Sequence, residues 1–183
     1  MSQNNHKRPP DLRGQQQTGA SAPVFFPKKC AVFVDLENLV SQIVLDHSIE
    51  DYRRFRKMCL ELGGPIEVMF AFLPAYPNLM DRVRELYEHN IQSQLCPKFP
   101  GTVGAKDKDK VDYVMERMIR VFADHPAITN FVIVSNDGDF SQLVSFLQDR
   151  GKKVFLFKYG KVSRDLISAV GKENTFDFPV VKV

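Results

Sequence analysis

The sequence lacks the features that identify several common classes of protein. No apolar run approaches the roughly 20 residues that a helix needs to span a bilayer, and no apolar stretch follows Lys7 and Arg8. We therefore expect neither a membrane span nor a secretory signal. No Walker A loop and no Gly-x-Gly-x-x-Gly occurs, so a nucleotide cofactor is not indicated. No Ser-His-Asp or Cys-His arrangement for covalent acyl chemistry is visible either.

Cysteine and histidine are too scarce and too scattered to form a zinc site. The three cysteines (Cys30, Cys59 and Cys96) are widely spaced, no Cys-x-x-Cys occurs, and the four histidines do not cluster. An odd number of isolated cysteines is typical of a reduced protein with ordinary packed thiols. The sequence therefore predicts a cytoplasmic protein.

Positive charge is concentrated at the N-terminus. Residues 1–29 hold five basic side chains and one acidic one, a net of +4, which leaves −1 for the rest of a chain whose total is +3. Residues 1–27 are also rich in Pro, Gln, Gly and Ser, a composition typical of disorder. We predict a disordered basic tail at 1–28 and one domain at 29–183. Because the domain is nearly neutral, a homodimer or another partner could supply more basic surface.

Apolar runs alternate with stretches at helical spacing from Lys29 onward. The strands are predicted at 30–35, 66–73, 91–96, 130–135 and 153–158, with a final extended piece at 175–181. The helices are predicted at 49–62, 78–89, 109–124, 139–150 and near 163–170, with Gly151 as a helix stop. This order predicts an α/β fold in which a mainly parallel sheet of five to six strands is covered on both faces.

Acidic patterns follow the ends of the predicted strands. Asp35 follows the apolar run 30–34, and Asp137 and Asp139 flank a glycine just after the run 131–135. If the strand order is 3-2-1-4-5, strands one and four are neighbours and these acids share one edge of the sheet. Asp112 opens the helix that starts from the same edge. The topology thus predicts one acidic pocket.

Simple capping does not explain this pocket. One Asp at the start of a helix is an ordinary cap, and Asn38 can cap a turn or orient a phosphate oxygen. Two acids beside a third from another strand repel one another unless a cation joins them. Asp112 lies near the buried face of its helix, whereas Glu116, one turn on, is expected to be an exposed ion-pair partner.

Carboxylates without Cys or His ligands suit a hard cation, with Mg²⁺ or Mn²⁺ the best fit. Such a site binds phosphate oxygens and activates water. Basic residues precede Asp112 and recur in the last third of the chain, where they suit either a polyanion that approaches the metal or an ordinary solvated surface: Lys106, Lys108, Lys110, Lys152, Lys153, Lys158, Lys161 and Arg164. Three aromatic residues are candidates for stacking on bases or for core packing: Tyr76, Phe99 and Tyr159.

At these residues the chain resembles the NYN family of PIN-like nucleases, especially its bacterial LabA-like branch. The matching segments, in order, are residues 33–38, 110–112, 134–140 and 152–154, with Ser163 and Leu166. The resemblance covers about residues 29–178. It implies a Rossmann-like three-layer α/β/α sandwich, a Mg²⁺ or Mn²⁺ site and, for several relatives, cleavage of RNA. It maps four acids onto the family's metal-binding positions, namely Asp35, Asp112, Asp137 and Asp139, and maps Asn38 onto the asparagine of the first motif.

The sequence therefore predicts a metal-dependent ribonuclease that hydrolyses RNA phosphodiester bonds. The catalytic and metal-binding candidates are Asp35, Asp112, Asp137 and Asp139, and the substrate-binding candidates are Asn38, Ser135 and Lys110. One alternative is a non-catalytic RNA-binding or regulatory module that keeps the fold. A second is a phosphatase with a related α/β fold, which is disfavoured because Glu37 stands where an Asp-x-Asp motif needs its second aspartate.

Overall fold

A computed structural model describes residues 27–38, 49–75, 80–96 and 110–179. The predicted tail up to residue 26 and the lysine-rich loop with Lys106 and Lys108 lie outside the described residues, as do the aromatic candidates Tyr76 and Phe99. The division into a tail and one domain stays a prediction.

Six parallel strands form one sheet within the described residues. They are β1 (Lys29–Asp35), β2 (Ile66–Pro74), β3 (Gln92–Cys96), β4 (Ile128–Val134), β5 (Lys153–Lys158) and β6 (Thr175–Asp177). They lie side by side in the order β3-β2-β1-β4-β5-β6, and each neighbouring pair is parallel. This confirms the predicted order 3-2-1-4-5 and adds the final extended piece as a sixth strand beside β5.

The helices lie where the apolar spacing predicts them, within about two residues at the described ends. They are α1 (Ile49–Gly63), α2 (Met80–Glu88), α3 (Lys110–Ala123), α4 (Ser141–Asp149) and α5 (Arg164–Val170), with 3₁₀ turns at Gly138–Phe140 and Lys172–Asn174. Residues 36–38 also form a helical turn directly after β1. Gly151, whose φ is 70°, follows α4 and confirms the predicted stop.

One helix differs from its prediction. The segment predicted as a helix from residue 139 begins instead with the 3₁₀ turn Gly138–Phe140, and α4 follows it. The reason is local, because the side chain of Asp137 accepts a hydrogen bond from the backbone N of Asp139 and tightens the chain into that turn.

The helices cover both faces of the sheet. Since successive side chains of a strand point to opposite faces, Val32 and Val34 of β1 pack in one cluster with Phe55 of α1 and Leu86 of α2. Ala31 and Phe33 pack in a second cluster with the other three helices through Met115, Leu143 and Leu166. The predicted three-layer α/β/α sandwich is therefore confirmed.

A group of stacked phenylalanine rings fixes the centre of β1. Phe33 is fully buried, and its ring centroid lies 6.1 Å from those of Phe70 and Phe131 and 6.3 Å from that of Phe72. Truncation of a buried phenylalanine to alanine generally costs about 3–5 kcal/mol of folding free energy. Phe33 therefore anchors the strand two residues before Asp35.

The remaining expectations about the core also hold. Cys30, Cys59 and Cys96 are unpaired and buried, as predicted for packed thiols. Burial raises the pKa of the Cys30 thiol to about 12, which makes it a poor nucleophile. No helix in the described ranges combines the length and apolar character needed to cross a membrane.

Candidate active site

Asp35 is a buried carboxylate at the carboxyl end of the central strand. β1 pairs with β4 through Val34 and Val134, so Asp35 and Ser135 follow side by side on neighbouring strands. Asp35 is only 2% exposed, and Ser135 is fully buried. The Ser135 hydroxyl donates to Oδ2 of Asp35 at 2.9 Å, and the backbone N–H of Asn38 donates to Oδ1 at 3.0 Å. Because both oxygens accept hydrogen bonds, the carboxylate is held in one orientation.

The hydrogen bonds continue from Ser135 into the next loop. The backbone N of Asp137 donates to the Ser135 hydroxyl at 3.1 Å, and Oδ1 of Asp137 accepts from the backbone N of Asp139 at 3.0 Å. Asp137 is half-buried and Asp139 is exposed. The Ser135 hydroxyl therefore links Asp35 to the backbone of Asp137, and the Asp137 carboxylate in turn binds the backbone of Asp139. Since that hydroxyl already has two partners, this geometry does not favour the substrate contact predicted for Ser135.

Asn136 joins this loop to the one that follows β5. Its Oδ1 accepts from the backbone N of Tyr159 at 3.0 Å, its Nδ2 donates to the carbonyl of Tyr159, and its own carbonyl accepts from the backbone N of Ser163 at 3.1 Å. Sequence reasoning gave Asn136 no role. The only signal was its place between Ser135 and Asp137, which does not reveal a partner 23 residues away.

Gly138 is required where these two loops meet. A Cβ atom at this position would lie 2.7 Å from Oγ of Ser163 and 3.1 Å from its Cβ, both closer than ordinary contacts. The space, and not the backbone conformation, therefore excludes a side chain here.

We predict that Gly138→Ala lowers stability by about 1–3 kcal/mol, the usual effect of overpacking, because the loop must move away from Ser163. Chemical denaturation would measure the change. Adding Ser163→Ala removes the closer of the two contacts and should recover part of the loss. A Gly138→Ala variant with the stability of the parent protein would contradict this account of the loop.

Asp112 lies in the first turn of α3 and is half-buried. The pKa of its carboxyl is raised to about 7, chiefly by burial and in addition by the negative charges of four other carboxylates: Asp35, Asp137, Asp139 and Glu37. An effect of this kind requires the carboxylates to be neighbours in space. The structure thus brings together all four acids predicted for the site and adds Glu37.

The end of β3 borders the same pocket. The pKa of the Cys96 thiol is raised to about 11, chiefly by burial and in addition by the charges of Glu37, Asp35 and Asp112. Cys96 is 2% exposed, so it forms part of the wall and is not an accessible nucleophile. The sequence had suggested only a packed cysteine at this position.

The donor chemistry of the pocket fits a hard divalent cation. Its charged groups are all carboxylates, and none of Asp112, Asp137 and Asp139 forms an ion pair with a described lysine or arginine. The spacing is less compact than a finished metal site, because no three His, Cys, Asp or Glu side chains in the described ranges converge enough to hold an ion. Among the described residues, therefore, no lysine or arginine pairs with Asp112, Asp137 or Asp139, and the carboxylates are not at ligand spacing.

Two of the basic candidates lie away from the acidic pocket. Lys152 precedes β5 at the opposite edge of the sheet, where its Nζ donates to the carbonyls of His125 and Ile128 at 3.1 and 2.7 Å. Lys153 begins β5 at that same edge. These two lysines do not flank the acidic centre, because a residue before a parallel strand lies at its amino end.

The other basic candidates have different surroundings. Lys158 forms an ion pair with Asp177. Lys161 and Arg164 are exposed and lie in or next to the loop after β5. Asn136 joins this loop by hydrogen bonds to the acidic rim, which is the edge of the sheet that carries Asp35, Asp137 and Asp139. Lys110 is the first residue of α3, and the role predicted for its side chain stays a prediction.

Two further candidates have partners. Glu116 accepts two hydrogen bonds from Arg120, at 2.9 and 2.7 Å, which confirms the expected ion pair. Tyr159 is half-buried, and its backbone is held by Asn136. Its ring packs against the core cluster that contains Val32 and Phe55.

Comparison with known proteins places the chain in a family. A protein of unknown function from Vibrio parahaemolyticus has a similar crystal structure, with a TM-score of 0.66 and 22% sequence identity over 82% of this chain and 92% of that one. At this identity the similarity establishes the fold alone. No curated protein matches the chain in sequence. The NYN domain matches residues 29–174, which include every acid of the pocket, and the chain therefore belongs to the NYN domain family.

Proposed function

We propose that the chain is a metal-dependent ribonuclease that hydrolyses phosphodiester bonds in RNA. The observation that carries the proposal is the acidic pocket, in which the charges of four carboxylates act together on Asp112 (Asp35, Asp137, Asp139 and Glu37) and Asp35 is itself buried and held in one orientation. Such a concentration of negative charge is unfavourable without a cation. The NYN domain indicates a PIN-like nuclease, a class that generally depends on a divalent metal.

The residues of the pocket would divide the work. Asp35, Asp112 and Asp137 would hold Mg²⁺ or Mn²⁺, and the exposed Asp139 would complete the pocket or position the attacking water. When bound, the cation would supply positive charge to the phosphate and lower the pKa of a neighbouring water. Ser135 is proposed as a positioning residue, because its hydroxyl fixes Asp35 and the backbone of Asp137.

Substrate binding would use the outer parts of the same rim. Lys161 and Arg164 are exposed beside the loop tied by Asn136, where their charges would attract the RNA backbone. Lys110 and Asn38 stay candidates for contacts closer to the reacting phosphate. Membership of the LabA-like branch, a cytoplasmic location and a homodimer are kept as predictions from the sequence.

The alternative is a non-catalytic RNA-binding module. One observation favours it, since no three carboxylates in the described part of the chain are at ligand spacing. The two functions differ in what happens to RNA when metal is added, so one assay separates them.

The test is incubation of purified protein with end-labelled single-stranded and structured RNA in Mn²⁺, in Mg²⁺ and in chelator. A ribonuclease should cleave RNA only when metal is present, and this activity should elute together with the protein from a sizing column. RNA that is bound but intact in every metal would contradict the nuclease and favour the binding module. Release of phosphate from a small ester, without RNA cleavage, would favour a phosphatase.

A further inference from the structure

The outward side of α3 carries an exposed aromatic ring next to the acidic pocket. Tyr113 follows Asp112 directly and is 58% exposed, whereas Val111 and Met115 on either side are buried against the sheet. Arg117, one turn further along the same side, is also exposed. A tyrosine ring exposed to this extent can present a face to a stacking partner.

The orientation of α3 places this ring at the border of the pocket. Asp112, Glu116 and Arg120 recur every four residues and form one flank of the helix. Cζ of Arg120 lies 4.1 Å from the ring centroid of Phe146 in α4, which shows that this flank faces α4, and the charges of Asp137 and Asp139 in the loop before α4 act on Asp112 at its first turn. Tyr113 comes about 100° further round the helix. Its ring therefore lies on the solvent-exposed side of α3, next to Asp112 of the acidic pocket.

Arg117 supports the ring from the adjacent turn. Its Nη1 donates to the Tyr113 hydroxyl at 3.1 Å, and its Cζ lies 5.6 Å from the ring centroid. A guanidinium group has five N–H donors, so this bond leaves others for a phosphate. No acidic residue in the described ranges forms an ion pair with Arg117. A flat ring and a cation on one exposed surface together match a nucleobase and its phosphate.

We propose that Tyr113 and Arg117 form a nucleotide-binding subsite, in which the base next to the cleaved bond stacks on Tyr113 and its phosphate binds Arg117. The subsite makes the site selective for single-stranded RNA, because a base inside a duplex has both faces covered by its neighbours. This inference rests on the proposed function, since it takes RNA as the substrate of the acidic pocket.

The first test measures RNA binding without cleavage. A fluorescein-labelled single-stranded oligonucleotide is titrated in chelator, with intact RNA verified on a gel, and affinity is read from anisotropy. Tyr113→Ala should bind about tenfold more weakly, as expected for the loss of one stacked base. Tyr113→Phe should bind almost as the parent does. Arg117→Ala should reduce the dependence of log affinity on log salt by about 0.7, the value for one phosphate contact in a single strand.

Tyr87 provides a matched control. It is 81% exposed on α2, which packs on the other face of the sheet. Tyr87→Ala should bind single-stranded RNA as the parent does. An oligonucleotide with abasic positions supplies the converse control, because without bases the parent and Tyr113→Ala should bind equally. A duplex of the same length should also bind the two equally.

The second test separates this inference from the proposed function. In Mn²⁺ or Mg²⁺, Tyr113→Ala should raise KM about tenfold with kcat almost unchanged. If Tyr113→Ala binds RNA as tightly as the parent, the subsite is wrong whether or not cleavage occurs. If Tyr113→Ala instead changes the molecular mass of the protein in solution and leaves its RNA affinity unchanged, the exposed side of α3 is an interface between copies of the chain, and the subsite is wrong. RNA that is bound but never cut contradicts the nuclease alone, and a parent protein that binds no RNA contradicts both.

Discussion

Replacing Asp35 with asparagine is expected to lower the rate of metal-dependent RNA cleavage by roughly 10³-fold while leaving the fold intact. A metal ion contributes several kcal/mol to stabilisation of charge in a transition state, and each 1.36 kcal/mol corresponds to about a factor of ten in rate. An amide lacks the charge that holds a cation. Initial rates on labelled single-stranded RNA at saturating Mn²⁺ would measure the loss.

The fold should tolerate this change because the surroundings can adapt. The Asp35 carboxylate accepts from the backbone of Asn38 and from the hydroxyl of Ser135. An asparagine keeps one acceptor for the Asn38 N–H, and its NH₂ can donate to the Ser135 hydroxyl, which is able to rotate and accept. We therefore expect the variant to lose only about 1 kcal/mol of stability, the scale of one net hydrogen bond.

Asp149→Asn is the matched control. Asp149 is an exposed carboxylate at the far end of α4, away from the acidic rim. This variant should cleave RNA at the parent rate, and Mn²⁺ should raise the melting temperatures of the variant and of the parent by the same amount. The Asp35→Asn variant should cleave RNA far more slowly than the parent, and Mn²⁺ should not raise its melting temperature. Cleavage by Asp35→Asn at the parent rate would mean a contaminating nuclease or a different site.

The acidic rim could be predicted from the sequence because topology depends on few choices. Continuous apolar runs alternating with helices favour a parallel sheet, and the carboxyl ends of all strands in a parallel sheet lie at the same edge. Asp35, Asp112, Asp137 and Asp139 all belong to segments that meet at that edge, so their neighbourhood followed from element order alone. The charges of Asp35, Asp137 and Asp139 all raise the pKa of Asp112, which agrees with this prediction.

What could not be predicted depends on contacts between loops. The bridge from Asn136 to Tyr159 and the close approach of Gly138 to Ser163 join segments more than 20 residues apart, and no local pattern specifies such pairs. Lys152 is a different case. Its place before β5 already implied the amino edge, and attention to strand direction would have excluded it from the rim.

The position of Tyr113 and Arg117 on one exposed side of α3 could have been predicted from the sequence. The register of α3, with Val111 and Met115 facing inward, predicts that residues 113 and 117 face outward one turn apart. An exposed tyrosine belongs to neither the apolar nor the acidic pattern of the sequence, so neither pattern indicates a role for it. The structure made the pair visible by showing the hydrogen bond between the two side chains.

Replacing Asp112 with asparagine should stabilise the metal-free protein at alkaline pH and weaken its activity at the same time. The pKa of Asp112 is about 7 in the folded protein, against an ordinary value of 3.8. Between these values the folded protein keeps a proton that the unfolded chain releases, so stability falls as the pH rises. The full shift corresponds to an upper limit of about 4 kcal/mol. Solvent screening of a half-buried group reduces this, and we expect about 2 kcal/mol.

Thermal unfolding of the parent and Asp112→Asn at several pH values would measure the effect. At pH 8 the variant should melt about 4–8 °C above the parent, given about 2–4 °C per kcal/mol for a domain of this size. Near pH 4 the two should melt almost together, because Asp112 is then protonated in the folded parent. Asp149→Asn should match the parent at both pH values. A variant less stable than the parent at pH 8 would contradict the charge repulsion inferred for the pocket.

Metal provides the decisive comparison for the same pair of proteins. If unbalanced charge is what weakens the parent at pH 8, Mn²⁺ or Mg²⁺ should stabilise the parent and narrow its difference from Asp112→Asn. The variant should respond less, because it has lost one carboxylate of the proposed site. A ligand that binds only the folded state stabilises it by about 2.7 kcal/mol at 100 times its Kd, so the response is large enough to measure. An equal response in both proteins would place the cation away from Asp112, whereas a response confined to the parent would support Asp112 as a ligand independently of any cleavage assay.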